Sequence, residues 1–279
     1  MSATWYAPEP PAPPPPLDGA AKWRIARRAG PLALFLLLCL ALLLLVRLVE
    51  RALCGLRRPV TPIFQRQVCR AFFRLSGIRL KVTGTPMRER GAIVSNHVSW
   101  LDIFTLSAPR PVFFVSKSEV RSWPGIGFLA RAAGTVFITR KRGDAKAQQD
   151  VFLNRLRAGQ RLMFFPEGTS TDGKRVLPFK TTLFAAFFAP ELRDFCHVQP
   201  VTLLYRAPEG EEPRFYGWWG DMDFGASFLK IFGAKRQGGV EVIYHPPLAV
   251  ADFTDRKALA AECERRVRSA MPWDWQKDA

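Results

Sequence analysis

A chain of 279 residues, 48% of them hydrophobic, has ample apolar material for a folded core and excludes disorder throughout. Lys and Arg number 41 against 24 Asp and Glu, a net charge of +17 that points to anionic partners: nucleic acid, acidic lipid headgroups or acidic carrier proteins. The five cysteines, Cys39, Cys54, Cys69, Cys196 and Cys263, are scattered without a CxxC pair or a Cys/His cluster, which favours a reducing compartment and no structural metal.

Residues 8–16 read Pro-Glu-Pro-Pro-Ala-Pro-Pro-Pro-Pro and lack most backbone donors, so residues 1–21 are expected to form a disordered, extended tail. Lys22, Arg24, Arg27 and Arg28 then precede an uncharged, Leu-dominated run from Ala29 to Val46, closed by Arg47 and Arg51. Its length lies at the lower edge of what crosses about 30 Å of hydrocarbon as a helix. No small-x-small cleavage site follows, so residues 22–58 are read as a retained membrane anchor. The anchor either spans, or enters and returns with Leu53 to Phe73 as a second, amphipathic helix lying on the surface. Basic residues flank both ends and leave its orientation open.

From Ile78 onward short apolar, β-rich runs alternate with helix-length stretches. Strands are predicted at 79–83, 92–95, 112–115, 135–138, 161–165, 198–205 and 240–244, and helices at 100–107, 125–133, 144–158, 181–189 and 256–271. That alternation makes residues 59–273 an α/β domain, its sheet covered by helices and preceded by the N-terminal helical anchor.

Of the three histidines, only His97 has an acid five residues on, Asp102. The pair follows a predicted strand and opens a predicted helix, a turn at which α/β folds expose reactive side chains. An imidazole backed by a carboxylate is what general-base catalysis needs, the acid fixing the tautomer and stabilising the imidazolium. The bland reading is that His97 caps the helix and Asp102 pairs with an Arg. A second strand leads into Phe165-Pro166-Glu167-Gly168-Thr169-Ser170-Thr171-Asp172-Gly173-Lys174, a loop of hydroxyls, free amides and a Lys suited to phosphate. A third, Gly134 to Thr139, ends in Arg140, Lys141 and Arg142, and Arg can hold phosphate bidentately.

Four ordered blocks, Asn96-His97 to Asp102, Gly134 to Arg140, Phe165 to Thr169 and Val198-Gln199-Pro200-Val201, resemble the glycerolipid acyltransferases that include the 1-acylglycerol-3-phosphate acyltransferases. The resemblance covers roughly residues 59–250. It implies that His97 is the general base and Asp102 its orienting partner, and that Arg140, Glu167, Gly168 and Thr169 shape the acceptor's phosphate site. Lys117 and Lys180 fall where the family often places basic residues near the headgroup. Ser170 and Thr182 stand where the family usually has Arg and Gly. The segment from Tyr216 to Asp223, with Trp218 and Trp219, looks like one found in bacterial members close to lyso-ornithine lipid acyltransferases; a packed aromatic turn is its bland reading.

The implied reaction transfers an acyl chain from acyl carrier protein or acyl-CoA to the free hydroxyl of a lysolipid, with no metal and no cofactor beyond that thioester co-substrate. The first expectation for the acceptor is 1-acyl-sn-glycerol-3-phosphate, giving phosphatidic acid; the alternative is a lyso-ornithine lipid or another lysophospholipid. A non-catalytic, basic, membrane-anchored protein binding lipid or nucleic acid is the remaining reading. No ordered nucleic-acid motif supports a nucleic-acid partner. Thioester donors are cytoplasmic, so the domain is expected to face the cytoplasm at the inner (plasma) membrane.

Overall fold

The structure, a computed structural model, describes residues 4–11, 13, 16–55, 58–122, 126–139, 145–272 and 274. Helix α1 (Gly19–Cys54) starts where the Asp18 carboxylate accepts from the Ala21 amide at 2.6 Å. At 1.5 Å per residue its 36 residues run about 54 Å, and it is long and apolar enough to cross a membrane. Leu34, Leu37, Leu38, Leu45 and Leu48 are all exposed along it. Helix α2 (Thr61–Ser76) follows a break that begins at Gly55. Its N-terminal amides are satisfied by Glu50 of α1, which accepts from Val60 N at 2.6 Å and Thr61 N at 2.9 Å. The second amphipathic helix expected over Leu53 to Phe73 thus starts later. It also buries Cys69, Phe72 and Phe73 in the domain core.

Eight strands among the described residues form one mixed sheet: β1 (Arg79–Thr83), β2 (Gly91–Ser95), β3 (Phe113–Lys117), β4 (Val136–Ile138), β5 (Leu162–Phe164), β6 (His197–Arg206), β7 (Gly239–Tyr244) and β8 (Leu248–Ala249). Their order is β1-β7-β6-β2-β5-β3-β4, with β8 also beside β6. From β6 to β4 all neighbours are parallel. Strands β7 and β8 run antiparallel to β6, and β1 runs parallel to β7.

The remaining helices are α3 (Asp102–Ser107), α4 (Ile126–Ala133), α5 (Ala145–Arg157), α6 (Pro190–Arg193), α7 (Phe224–Gly233) and α8 (Arg256–Ser269). Alternation along β2 divides the core. Ile93 packs with Phe72, Leu106 and Phe232 of α2, α3 and α7, whereas Ala92 and Val94 pack with Leu156 of α5 and Cys263 of α8. Because both faces are covered, β2 and β5 are wholly buried, which is why they read as continuous apolar runs. Residues 181–189 differ from expectation. A 3-10 turn (Leu183–Phe188) and the short α6 replace a regular helix, since Pro190 cannot donate to the preceding turn.

Helix α1 is tied down by arginines that cap other helices. Arg24 Nε donates to Gly233 O at 2.7 Å and Arg28 Nη1 to Ala234 O at 2.6 Å, at the C-terminal end of α7. Arg47 Nη1 donates to Arg131 O at 2.8 Å in the last turn of α4. Each guanidinium meets the negative end of a helix dipole.

The N-terminal segment, part of the expected tail, is docked rather than free at Trp5 and Tyr6. Trp5 N donates to Thr169 Oγ1 at 3.4 Å, Gly220 N donates to Trp5 O at 3.2 Å, and the Tyr6 hydroxyl donates to Asp221 Oδ1 at 2.9 Å. The proline run that follows offers no such aromatic anchors and is exposed wherever it is described.

Candidate active site

Strands β2, β5, β3 and β4 are parallel, so their C-terminal ends share one edge of the sheet, the edge at which open α/β sheets bind ligands. His97 follows β2, Glu167 to Thr169 follow β5, and Lys117 ends β3. Arg140 lies outside the described residues.

The turn after β2 is fixed from below. Asn96 is fully buried, its Oδ1 accepting from Leu203 N at 2.8 Å and its Nδ2 donating to Leu203 O at 3.0 Å, so its amide replaces a missing ladder rung against β6. His97 Nδ1 lies 2.7 Å from Asp102 Oδ2. The same carboxylate oxygen accepts from Val98 N at 2.8 Å and Ser99 N at 3.1 Å, while Oδ1 accepts from the Tyr205 hydroxyl at 2.8 Å. Asp102 is fully buried yet satisfied by these donors, and as the first residue of α3 it sits at the positive end of that helix. With Nδ1–H directed at the carboxylate, Nε2 carries the imidazole lone pair. The ring stacks on Phe165, centroids 3.9 Å apart and planes 9° from parallel, and 21% of the side chain reaches solvent.

Glu167 faces inward. Its Oε1 accepts from His97 N at 2.7 Å and its Oε2 from Leu177 N at 2.8 Å, so the carboxyl clamps the β2 turn to the loop after β5. Burial pushes its pKa up to about 8, the nearby Asp102 charge adding to the effect and the two amides opposing it. Gly168, at φ +74°, presses against Lys180: a Cβ there would stand 2.9 Å from Lys180 Nζ. Thr169 meets Trp5, as described above. Thus the structure brings His97, Asp102, Glu167, Gly168, Thr169 and Lys180 together. Lys117 stands two strands away from β2, roughly 10 Å along the same edge.

Two loops close on this turn. Thr171 N donates to His97 O at 2.9 Å, and Trp218 N donates to Val98 O at 2.9 Å. The Tyr216–Asp223 segment is therefore a packed turn and a neighbour of the His97 turn at once. Beside it, Trp100 Nε1 donates to Ser227 Oγ at 3.2 Å, and the Trp100 ring meets Phe224 and Phe228 of α7, with Phe224 and Ile103 exposed. Sequence reasoning missed Tyr205, Asn96's ladder role, Trp5 and Tyr6. Tyr205 lies in a run of buried β6 residues and gives no signal that separates it from core.

A family model for acyltransferases matches residues 79–204. A lyso-ornithine lipid O-acyltransferase of Rhodobacter capsulatus is 55% identical over 267 residues, covering 96% of each chain. A 1-acyl-sn-glycerol-3-phosphate acyltransferase of Neisseria gonorrhoeae is 33% identical over 191 residues, covering 68% of this chain and 72% of that one. The fold is similar to the crystal structure of the 1-acyl-sn-glycerophosphate acyltransferase of Thermotoga maritima, with a TM-score of 0.56 and 19% identity over 84% of this chain and 94% of that one. The sheet, its N-terminal apolar helix and these relatives lead to one assignment: the chain belongs to the acyltransferase family.

Proposed function

We propose that this enzyme transfers an acyl chain from a thioester donor, acyl carrier protein or CoA, to the hydroxyl of a lyso-ornithine lipid at a membrane surface. The observation that carries the chemistry is the 2.7 Å contact between His97 Nδ1 and the buried Asp102 carboxylate, which leaves Nε2 basic at the ligand-binding edge. Nε2 takes the hydroxyl proton as the acceptor oxygen bonds to the thioester carbonyl carbon. Backbone amides of the loop after β5 stabilise the oxyanion. Collapse of the tetrahedral intermediate breaks the carbon–sulfur bond, and the imidazolium returns the proton to the departing thiolate. No acyl-enzyme is needed. Glu167 acts as a positioning residue, because it holds the His97 amide and is too buried to touch substrate.

For the acceptor, support comes from the Rhodobacter capsulatus relative, which matches almost end to end. Ornithine presents an ammonium and a carboxylate in place of phosphate. Ser170, where the phosphate-binding relatives usually carry Arg, suits that headgroup, and Asp221 stands beside the same loop through Tyr6 and Trp5. Lysophosphatidate, the first expectation from sequence, retains Lys180 against Gly168 as a phosphate partner but is favoured only by more distant relatives. The apolar surface around Trp100, Phe224 and Ile103 is the proposed seat of the lipid chains.

Assay of the full chain in detergent with lyso-ornithine lipid and lysophosphatidate, each with both donors, tests the reading. Transfer to lyso-ornithine lipid is expected, with His97→Ala lowering kcat by at least about 10²-fold. Preference for lysophosphatidate overturns the acceptor, and full activity of His97→Ala overturns the base. The domain is proposed to face the cytoplasm at the inner membrane; its protection from external protease in right-side-out vesicles is the expected result.

A further inference from the structure

The opposite edge of the sheet carries a second basic feature, remote from His97. A groove of about 550 Å³ opens where the segments leading into β2, β3 and β5 meet the start of α2, lined by Arg58, Arg66, Arg88, Arg110 and Arg161 with Ile63 at its rim. None of its lining residues, among those described, is acidic; the nearest carboxylates felt by Arg58 and Arg161 are those of Glu50 and Glu89.

Three of these five guanidiniums donate to backbone carbonyls. Arg161 Nη2 donates to Arg88 O at 2.8 Å, Arg110 Nη1 to Pro86 O at 3.4 Å and Arg66 Nε to Ala108 O at 3.4 Å. Arg58 Nη1 and Arg161 Nε are buried without a hydrogen-bond partner, the Arg58 guanidinium lying over the Phe113 ring at 5.9 Å. Such an array is unfavourable by itself. Burial together with the like charges of Arg47 and Arg155 pushes the Arg58 pKa down to about 10, and burial together with Arg110 lowers that of Arg161. A bound anion relieves the repulsion among them and accepts from the guanidinium nitrogens that reach the groove.

We propose that this groove is a binding site for the phosphate headgroup of an anionic phospholipid. Its concave shape and preset guanidiniums suit a headgroup better than the surface of a folded acidic protein. Its surroundings point the same way: Ile63, which lines the groove, and Val60, two residues from Arg58, are 61% and 50% exposed, apolar surface next to the charges. The groove lies at the N-terminal ends of β2, β3 and β5, away from the C-terminal edge that carries His97.

Native mass spectrometry of the full chain in mild detergent, with phosphatidylglycerol or phosphatidylcholine added, tests this. Retention of phosphatidylglycerol but not phosphatidylcholine is expected. Arg88→Gln with Arg110→Gln should weaken retention at least about tenfold, and the matching double lysine variant should restore part of it. Wild-type retention should also fall with added salt, a readout independent of any variant's folding. Equal retention of phosphatidylcholine, undiminished retention by the glutamine variant, or salt-independent binding overturns the proposal. So does inorganic phosphate displacing the lipid at equal concentration, which makes the site one for free phosphate. Loss of acyl carrier protein binding in the glutamine variant with lipid retention intact overturns it in favour of an acidic protein. None of these readouts depends on acyl transfer.

Discussion

The hydroxyl of Tyr205, near the end of β6, donates to Oδ1 of Asp102 at 2.8 Å and also lies 2.9 Å from Thr105 Oγ1. Two elements far apart in sequence thus fix the carboxylate that orients His97. Burial and the Asp102 charge hold the Tyr205 hydroxyl well above its ordinary pKa, so it stays a donor throughout the working range. Tyr205→Phe removes that donor and leaves one oxygen of a buried carboxylate short of a partner. The expected result is a loss of about 1–3 kcal/mol in stability and a roughly tenfold lower kcat. Steady-state kinetics with an unchanged acceptor KM, alongside a thermal melt, check it.

Glu167 gives the fold a pH dependence of its own. Its folded pKa, about 8, lies above the ordinary glutamate value of 4.5, so the folded state holds the proton more tightly than the unfolded chain does. This contribution to stability is complete below the unfolded value and is lost as pH rises through the folded one. Thermal stability should therefore fall between about pH 4.5 and pH 8. Glu167→Gln should flatten that slope, while lowering stability overall because its NH2 cannot accept from the His97 or Leu177 amide. Melting curves across the range, compared between the two proteins, decide the matter; a parallel slope in the variant sinks the assignment.

Gly173 has φ +79°, and a Cβ there would stand 2.7 Å from Val98 Cγ1. Gly173→Ala is expected to cost about 1–3 kcal/mol and to lower activity by displacing the residue next to His97. Val98→Ala in the same chain removes the obstructing methyls, so a partial return of activity is the diagnostic outcome.

Trp5 packs against Trp219, centroids 6.4 Å apart, and beneath the guanidinium of Arg175, 5.0 Å from its ring centre. Trp5→Ala should raise the acceptor KM about tenfold and leave kcat within roughly twofold. Kinetics with a short-chain acceptor separate this from a general loss of folding.

What the sequence discloses depends on how far a residue's role is local. Strands β2, β3 and β5 are legible because double-sided burial demands apolar runs, and β7 because its burial alternates residue by residue, whereas β8, at two residues, has no periodicity to detect. Helix α7 escapes because it begins inside an aromatic, glycine-rich stretch, although Asp223 caps it by accepting from Ala226 N at 2.8 Å. His97 and Asp102 are legible because one turn sets both. Glu167 is legible as a motif member but not as an inward-facing clamp, since nothing local says which way its carboxyl turns. Tyr205, Trp5 and Tyr6 act only through partners about a hundred residues or more away, and spacing along the chain cannot reveal such contacts.

The strap at Trp5 and Tyr6 also constrains the order in which the protein is made. Its partners, Thr169 and Asp221, are 164 and 215 residues downstream, and β1 pairs in register with β7, Arg79 opposite Gly239. The apolar α1 can engage lipid as soon as it leaves the ribosome, yet the segment preceding it has nowhere to dock until most of the chain has followed. Closure of the strap must be among the last events of maturation, limited by long-range pairing rather than by helix formation. A nascent chain halted before residue 216 would own a complete His97–Asp102 pair but lack the wall behind it.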